Sequence, residues 1–205
     1  MKRPSAPVAV AAGALVLGLG AGIGLATALD DDSGTAVSAA AATPSAVDIG
    51  FSQDMIVHHE QAVLMAQLVR GRTADPKIAA LAAGIESDQL LEIGTLRGYL
   101  ALWDAPVLPA GPPMTWMADH QHGAAMPGMA TTAQLNRLRS AKGAALDRMF
   151  LQLMLRHHEG GQPMLSDAAA NAAIPAVRAL ASRMSFHQGE EIRTIQALLA
   201  TTQPS

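Results

Sequence analysis

The sequence predicts an all-α protein, a four-helix bundle made of two duplicated helical hairpins that follow an N-terminal hydrophobic segment. Of its 205 residues, 50% are hydrophobic but only 3% are aromatic, and Ala and Leu, which favour helices, dominate. The segment FSQDMIVHHE that begins at Phe51 recurs as FLQLMLRHHE at Phe150, and the same separation of 99 residues relates Pro76 to Pro175. A hairpin that occurs twice can bury its apolar face against its own copy, which predicts a four-helix bundle.

The first 29 residues are predicted to be a targeting element, either a cleaved signal peptide or a retained membrane anchor. Two basic residues precede an uncharged run, Pro4–Leu29, which is long enough to cross a bilayer. The triplet at 26–28 is a small-x-small cleavage candidate, so both outcomes stay open. Basic residues before the run and acidic residues after it place the rest of the chain outside the cytoplasm, secreted or anchored to the cell membrane. Residues 30–45 are predicted to be a flexible linker to the bundle, residues 46–202.

The first repeat, residues 48–103, is predicted to form two helices. Ser45 begins a capping-box motif, and the helix that it starts is expected to end at Gly71. Asp75 and Pro76 supply the N-cap and the first residue of the second helix, because Asp accepts from free N–H groups and Pro needs no donor there.

The second repeat, residues 144–202, is predicted to contain the last two helices, after a long loop at 104–130. A loop of this length within a compact domain is usually functional or disordered. Pro163 is expected to kink or unwind the helix just after His158, because its ring collides with the carbonyl four residues earlier. Met164 is then expected to leave the buried stripe, so the second repeat is expected to have an altered or lost site.

On the first predicted helix, one hydrophobic face carries two thioethers and an imidazole. Met55, His58 and Met65 lie on this face. His59 points about 100° away and can reach a neighbouring helix. Burying an imidazole among apolar groups costs free energy unless its nitrogens have partners. The carboxylate of Glu92 and a metal ion are the expected partners of His58, with the carboxylate orienting the ligand.

The second repeat carries the same set of donors. Its thioethers and imidazoles are Met154, His157, His158 and Met164. Glu191 takes the place of Glu92, and His187 adds an imidazole where the first repeat has Asp88. Met is a common core filler and a buried His is often simply hydrogen-bonded. Paired His with flanking Met, occurring twice, nevertheless favours a metal site over ordinary core packing.

The long loop is a further candidate region for metal binding. Its donors are Met117, His120, His122, Met126 and Met129. The polar, Pro- and Gly-rich surroundings leave these side chains without a core role, so a solvated loop is the alternative interpretation. The chain has no Cys, so its soft donors are Met and His, and thioether with imidazole suits Cu(I), and also Ag(I), better than Zn²⁺ or Ca²⁺.

Other classes of function are less favoured by the sequence. The net charge is −3 without a basic stripe, so no nucleic-acid partner is expected. No nucleophile elbow, phosphate loop or dinucleotide fingerprint occurs, so the protein is not expected to be an enzyme. The acids available to a di-metal oxidase, the enzymatic alternative, are Glu60, Glu92, Glu159 and Glu191. That chemistry needs Glu-x-x-His on one face rather than adjacent His and Glu. The remaining alternative is a membrane-tethered bundle that binds a protein partner.

Together these features resemble the family catalogued as domain of unknown function 305, whose copper-binding members are called CopM-like. The shared motifs are the two M-x-x-H-H segments, the stretch Asp88–Ile93, the insert His120–Met129 and the segment Leu146–Leu151, within residues 48–199. The resemblance implies an exported, ferritin-like four-helix bundle that binds copper or silver through Met and His. The expected role is to sequester or transfer Cu(I) or Ag(I) in copper homeostasis or resistance. Expected partners are the metal ion, copper-handling envelope proteins and, if the N-terminal helix is uncleaved, the membrane.

Overall fold

The computed structural model describes residues 43–118 and 125–201, and these residues contain five helices and no strand. The helices are α1 (Ala46–Val69), α2 (Pro76–Leu102), α3 (Thr132–Ser140), α4 (Gly143–Asn171) and α5 (Pro175–Thr201). α1 packs against α2 and α4 packs against α5 as two hairpins, and α1 lies beside α4 so that the hairpins form one bundle. The predicted all-α four-helix architecture is therefore confirmed, with the short α3 between the hairpins.

Two helix starts show how local sequence signals set the boundaries. Ser45 Oγ accepts a hydrogen bond from Asp48 N at 3.3 Å, and the Asp48 carboxylate accepts one from Ser45 N at 2.8 Å, which is the predicted capping box. At α2, Asp75 Oδ1 accepts a bond from Lys77 N at 2.8 Å, and Pro76 is the first helical residue. Both helices begin where the sequence predicts because their first N–H groups are satisfied locally.

Asp48 also joins the two hairpins. Its carboxylate accepts bonds from the N–H groups of Ala173 at 3.0 Å and Ile174 at 2.9 Å, in the turn before α5. Burial by itself raises the pKa of this carboxyl group, but the hydrogen bonds from Ser45 and from these backbone groups outweigh it and hold the pKa below its usual value. An ionised Asp48 therefore links the start of α1 to the start of α5.

Pro163 does not unwind α4, which runs unbroken from Gly143 to Asn171, so the unwinding predicted after His158 is wrong. Met164 is fully buried and stays on the stripe, which corrects the second part of that prediction. Pro163 and Glu159, whose carbonyl loses its partner, both lie on the exposed side of the helix. Packing of the opposite, buried side thus offsets the roughly 3 kcal/mol that a proline costs inside a helix.

Buried methionines collect at two levels of the bundle. The first group, which we call the methionine-rich end, contains Met55, Met114, Met126, Met164 and Met184, with Met117 and Met129 partly buried against it. The second group contains Met65 and Met154. Because Met55 and Met65 lie on either side of His58 along α1, the histidine pairs lie between the two groups.

None of the helices formed by residues 43–118 and 125–201 has the length and apolar character needed to cross a bilayer. The predicted targeting element, most of the predicted linker and the loop residues His120 and His122 lie outside these residues. What the sequence predicts for them stays a prediction.

Candidate metal centre

Two pairs of adjacent histidines meet in the middle of the bundle. His58 and His59 belong to α1, His157 and His158 belong to α4, and all four side chains are fully buried. The rings of His58 and His157 lie face to face, with centroids 3.8 Å apart and planes inclined by 33°. Successive helical residues point about 100° apart, so the first histidine of each pair faces the other hairpin and the second faces its own partner helix.

The second histidine of each pair is bound by a carboxylate from the adjacent helix. His59 Nε2 lies 2.8 Å from Glu92 Oε2, and His158 Nε2 lies 2.7 Å from Glu191 Oε2. In both pairs the partners are 33 residues apart, so the two hairpins repeat the contact. A carboxylate that accepts from Nε2–H leaves the ring's lone pair on Nδ1, which is the usual arrangement behind a metal-binding histidine.

The prediction that Glu92 is the partner of His58 is wrong, because Glu92 reaches His59 instead. His58 Nε2 donates to the carbonyl of Pro127 in the loop at 3.3 Å. His157 Nε2 donates to the carbonyl of His58 at 3.1 Å. The two stacked rings are therefore held by backbone oxygens, and the two outer rings by carboxylates.

Burial keeps His58, His59 and His157 neutral. It lowers the pKa of His58 to about 3, with repulsion from His59 and His158 adding to the effect. Burial and His158 likewise lower the pKa of His59 to about 3, and burial with the other three histidines holds the pKa of His157 well below its usual value. Glu92 shifts the opposite way, since burial and nearby carboxylates raise its pKa to about 7. A neutral imidazole keeps the lone pair that metal binding requires.

The centre contains more buried polar atoms than hydrogen-bond partners. Nδ1 of each of the four histidines has no partner among the described residues. The side-chain amides of Gln89 and Gln188, only 2% and 3% exposed, have neither nitrogen nor oxygen paired within the same part of the chain. Native proteins rarely leave such groups without a protein, water or ion partner. These atoms are therefore available to a cation or to ordered water, and they fit a bound metal.

Gln89 and Gln188 are candidate site residues that lie outside the Met/His motifs of the sequence. They occupy equivalent positions in α2 and α5, three residues before Glu92 and Glu191 respectively. An amide that interrupts an otherwise apolar stripe in both repeats is the sequence signal that could have identified them.

Thioether sulfurs lie at both sides of the histidines. The flanking side chains Met55, Met65, Met154 and Met164 are fully buried. From the loop, Met126 is buried, and Met117 and Met129 are partly buried against the methionine-rich end. Within residues 43–118 and 125–201, no three His, Asp or Glu side chains converge as a ready-made metal site.

His187 lies outside this centre. It is exposed on α5, where it lines a recess with Asp88 and Glu92. Its imidazole is near the carboxylate that binds His59 but is separated from the buried rings. The predicted additional imidazole therefore belongs to the surface.

Two of the four acids considered for a di-metal oxidase also face solvent. Glu60 is exposed and pairs with Arg97 at 2.6 Å, and Glu159 is exposed on α4. Only Glu92 and Glu191 reach the interior from this set. The described residues thus do not place one inward Glu on each helix, which the ferritin-like oxidase pattern requires.

The strap, residues 126–130 of the loop, covers the stacked histidines on one side. Pro127 accepts the bond from His58, and the Gln61 amide bonds both the N–H and the carbonyl of the last strap residue, at 2.6 Å and 3.0 Å. α4 admits this backbone because Gly160 has no side chain: a Cβ there would lie 2.5 Å from Pro127. Gly160 occupies the position equivalent to Gln61. The first repeat therefore binds the strap through a long side chain, and the second admits it by having no side chain.

A four-helix bundle with a His–Glu pair buried in each hairpin defines a class of duplicated helical proteins. The chain belongs to the DUF305 family, whose model, described as a domain of unknown function, matches residues 48–199. That range contains both M-x-x-H-H segments and the strap, so the family assignment made from those motifs is confirmed.

Several solved structures share the fold. A DUF305 protein from Streptomyces coelicolor, thought to be secreted, is 40% identical, with 76% of this chain and 93% of that chain covered and a TM-score of 0.71. A DUF305 fragment from Deinococcus radiodurans is 29% identical, with 77% and 98% covered and a TM-score of 0.66. CopM in its Cu(II)-bound form is 26% identical, with 76% and 97% covered and a TM-score of 0.63. No curated protein sequence matches this chain.

Proposed function

We propose that the protein binds a soft monovalent metal ion, Cu(I) or Ag(I), at the centre of the bundle. One observation carries the proposal. Four fully buried imidazoles have Nδ1 without a partner among the described residues, and buried thioethers flank them on both sides. Buried nitrogens without partners cost free energy, and a bound ion would offset that cost.

The proposed nitrogen ligands are the four histidines of the two pairs. His59 and His158 would bind through Nδ1, because their Nε2 atoms are held by Glu92 and Glu191. Those carboxylates would orient the rings and raise their basicity.

The proposed sulfur ligands come from the same two helices. They are Met55, Met65, Met154 and Met164. Thioether with imidazole, in a chain without Cys, favours Cu(I) and Ag(I) over Zn²⁺ and Ca²⁺. A metal bound there would have its preferred soft donors in a region that excludes water.

The loop is proposed to supply further soft donors. Met126, Met117 and Met129 pack against the methionine-rich end, and His120 and His122 belong to the same loop. We propose that these donors form a second binding region.

The comparison with CopM supports the choice of Cu(I) or Ag(I) as the bound ion. CopM has been solved with Cu(II), with Cu(I) and with Ag, and it is 25–26% identical to this chain with the same fold. The individual ligands proposed for this chain depend on its own burial and hydrogen bonding.

We also propose that the protein works outside the cytoplasm, where it sequesters copper or transfers it to copper-handling envelope proteins. The predicted targeting element and the relative thought to be secreted support this location. A retained N-terminal helix would anchor residues 46–202, the proposed functional domain, to the membrane. Cell fractionation should recover the bundle domain in the medium or the cell envelope, and recovery in the cytoplasm would contradict this location.

The test is an anaerobic titration of the metal-free protein with Cu(I) against a chromogenic chelator. We expect the wild type to compete, and a variant with His58→Ala and His157→Ala to lose more than about 100-fold in affinity, because removing ligands costs more than the 10- to 100-fold seen when the partners behind ligands are removed. His187→Ala is the matched control, because it removes an exposed imidazole. Deletion of the Met/His loop segment measures the contribution of the loop.

A second variant distinguishes loss of metal binding from loss of folding. Replacement of Met55 and Met164 by Leu conserves volume, so it should cost less than about 1.5 kcal/mol per site. Its Cu(I) affinity should still fall, since the sulfur is lost. Absence of competition by the wild type at micromolar protein would contradict the proposal, as would equal affinity in all variants.

A further inference from the structure

We propose that the cation reaches the buried histidines through the groove between α2 and α5, guided by Asp88 at its mouth. The inference rests on the proposed function, because it names the route to the same centre. Four fully buried imidazoles need such a route, since an ion must pass between side chains to reach them.

The side of the centre covered by the strap is closed by closely packed backbone. Gly128 of the strap lies so near α4 that a Cβ on it would be 2.4 Å from the carbonyl oxygen of Arg156. Gln61 fixes the end of the strap through two hydrogen bonds. Asp54 fixes the preceding part of the loop by accepting a bond from Trp116 Nε1 at 2.8 Å. An ion entering from this side would have to displace an anchored segment.

The side between α2 and α5 is more open, and its polar groups lie among apolar side chains. These two helices have few close backbone contacts with each other, in contrast to the helices within each hairpin. A recess of about 210 Å³ lies between them, and its polar lining residues are Asp88, Glu92, Thr95, Arg183 and His187. Glu92 and Glu191 remain 15% and 18% exposed, whereas the histidines behind them are fully buried.

A series of polar groups leads inward from this recess. Glu92 contacts His59, whose Nδ1 lacks a partner among the described residues. Gln89, the residue after Asp88, is buried with both amide atoms unpaired in the same part of the chain. Gln188 repeats this arrangement on α5. A cation moving inward would exchange water for carboxylate, amide and imidazole in turn.

Asp88 and Arg183 place opposite charges at the opening of the recess. Removing each charge in turn should therefore change the rate of cation uptake in opposite directions. Neither side chain forms an ion pair with a residue in the described ranges. A negative charge at a recess raises the local concentration of cations, and a positive charge lowers it. Asp88→Asn should therefore slow uptake, and Arg183→Gln should accelerate it.

The experiment mixes metal-free, full-length protein with Ag⁺ in chloride-free buffer of low ionic strength, and a fluorescent indicator follows free Ag⁺ in stopped flow. We expect Asp88→Asn to lower the association rate constant about 3- to 10-fold and Arg183→Gln to raise it by a similar factor. The equilibrium affinity, measured in parallel, should stay within about 2-fold, and high salt should remove the differences in rate.

Glu159→Gln is the matched control, because it removes the same charge from an exposed position on α4. Its association rate should stay within about 2-fold of wild type. Equal rates in Asp88→Asn and Glu159→Gln would overturn the route, as would faster uptake in Gly160→Ala, which displaces the strap. A large loss of affinity in Asp88→Asn would also overturn it, since Asp88 would then be a ligand. Failure of the wild type to bind Ag⁺ would overturn the proposed function instead.

Discussion

The two hairpins have the same interior but different surfaces where they meet the loop. His59 with Glu92 and His158 with Glu191 form the same contact at nearly the same distance, 2.8 Å and 2.7 Å. The strap, by contrast, is bonded by side chains of α1 and accommodated by glycine on α4. Duplication alone would give both helices the same outer face.

This difference separates what the buried centre requires of the sequence from what contact with the loop requires. The buried donors occur in both copies, and we propose that the centre uses both hairpins. The loop covers only one side of the bundle. There α1 binds the strap through a side chain, whereas α4 leaves space for it by having a glycine. Gln61 and its counterpart Gly160 show this division of roles directly.

The shared interior gives the largest expected effect, a loss of stability of the metal-free protein in mild acid. The pKa values of His58 and His59 are about 3 in the folded protein, against 6.5 for an ordinary histidine. As the pH falls below 6.5, the unfolded chain takes up protons that the folded state excludes, so stability that is complete above 6.5 is lost progressively toward pH 3. Each such proton steepens the loss by about 1.4 kcal/mol per pH unit. Urea unfolding over this pH range measures the slope.

Replacing His58 or its counterpart His157 by Gln should flatten this slope to a similar extent. A similar effect is expected because both rings are fully buried and have lowered pKa values. A stability that does not change between neutral pH and pH 5 would show that these rings are not buried as neutral groups. A change in only one of the two variants would show that the hairpins are not equivalent inside.

The divergent surface gives the next effect. In Gly160→Ala, the new Cβ would lie 2.5 Å from the backbone of Pro127, so the strap must shift, and we expect a loss of about 3 kcal/mol in the free energy of unfolding. Gly94→Ala is the matched control, because its Cβ would meet no described atom within 4 Å beyond its chain neighbours and the nearby backbone of its own helix, and Ala is the better helix former. That change should stabilise the protein by about 0.5–1 kcal/mol. Chemical denaturation measures the free energy of unfolding of both variants. An unchanged value in Gly160→Ala would contradict the close packing of the strap on α4.

Local signals explain which parts of the fold were predictable. Ser45 and the Asp75-Pro76 pair act through neighbouring N–H groups, so they define helix starts without help from distant residues. The unbroken α4 was not predictable from Pro163, because the packing of the buried face offsets the local cost. Likewise, the M-x-x-H-H pattern indicates buried imidazoles. Which of the two histidines Glu92 contacts depends on how α1 is rotated against α2, and in the structure it contacts His59.

Carboxylate substitutions compare the two hairpins at the centre itself. Glu92→Gln and Glu191→Gln each remove the carboxyl group that holds one histidine, and each should lower Cu(I) affinity about 10- to 100-fold. Competition with a chromogenic chelator measures both, and circular dichroism checks the fold. Similar losses would support two equivalent half-sites. A loss confined to Glu92→Gln would mean that the second hairpin no longer contributes, whereas no loss in either would contradict a ligand role for the outer histidines.

The last comparison is between the two equivalent aspartates, Asp48 and Asp147. Asp48 accepts bonds from Ser45 and from two backbone N–H groups before α5, whereas Oδ1 of Asp147 is buried without a partner in the described part of the chain. We therefore expect Asp48→Asn to cost about 1.5–3 kcal/mol, the range for hydrogen bonds to a charged group. Asp147→Asn should cost less than about 0.5 kcal/mol, because it breaks no such network. Urea unfolding at neutral pH measures both.

The pH dependence of that difference checks its cause. The pKa of Asp48 is lower in the folded protein than the ordinary 3.8, so its contribution is complete above that value and is lost as the pH falls through the lower folded pKa. The gap in stability between the wild type and Asp48→Asn should therefore be constant at higher pH and shrink below about pH 4. A gap that persisted in acid would mean that the shape of the Asp48 side chain, rather than its charge, holds the two hairpins together.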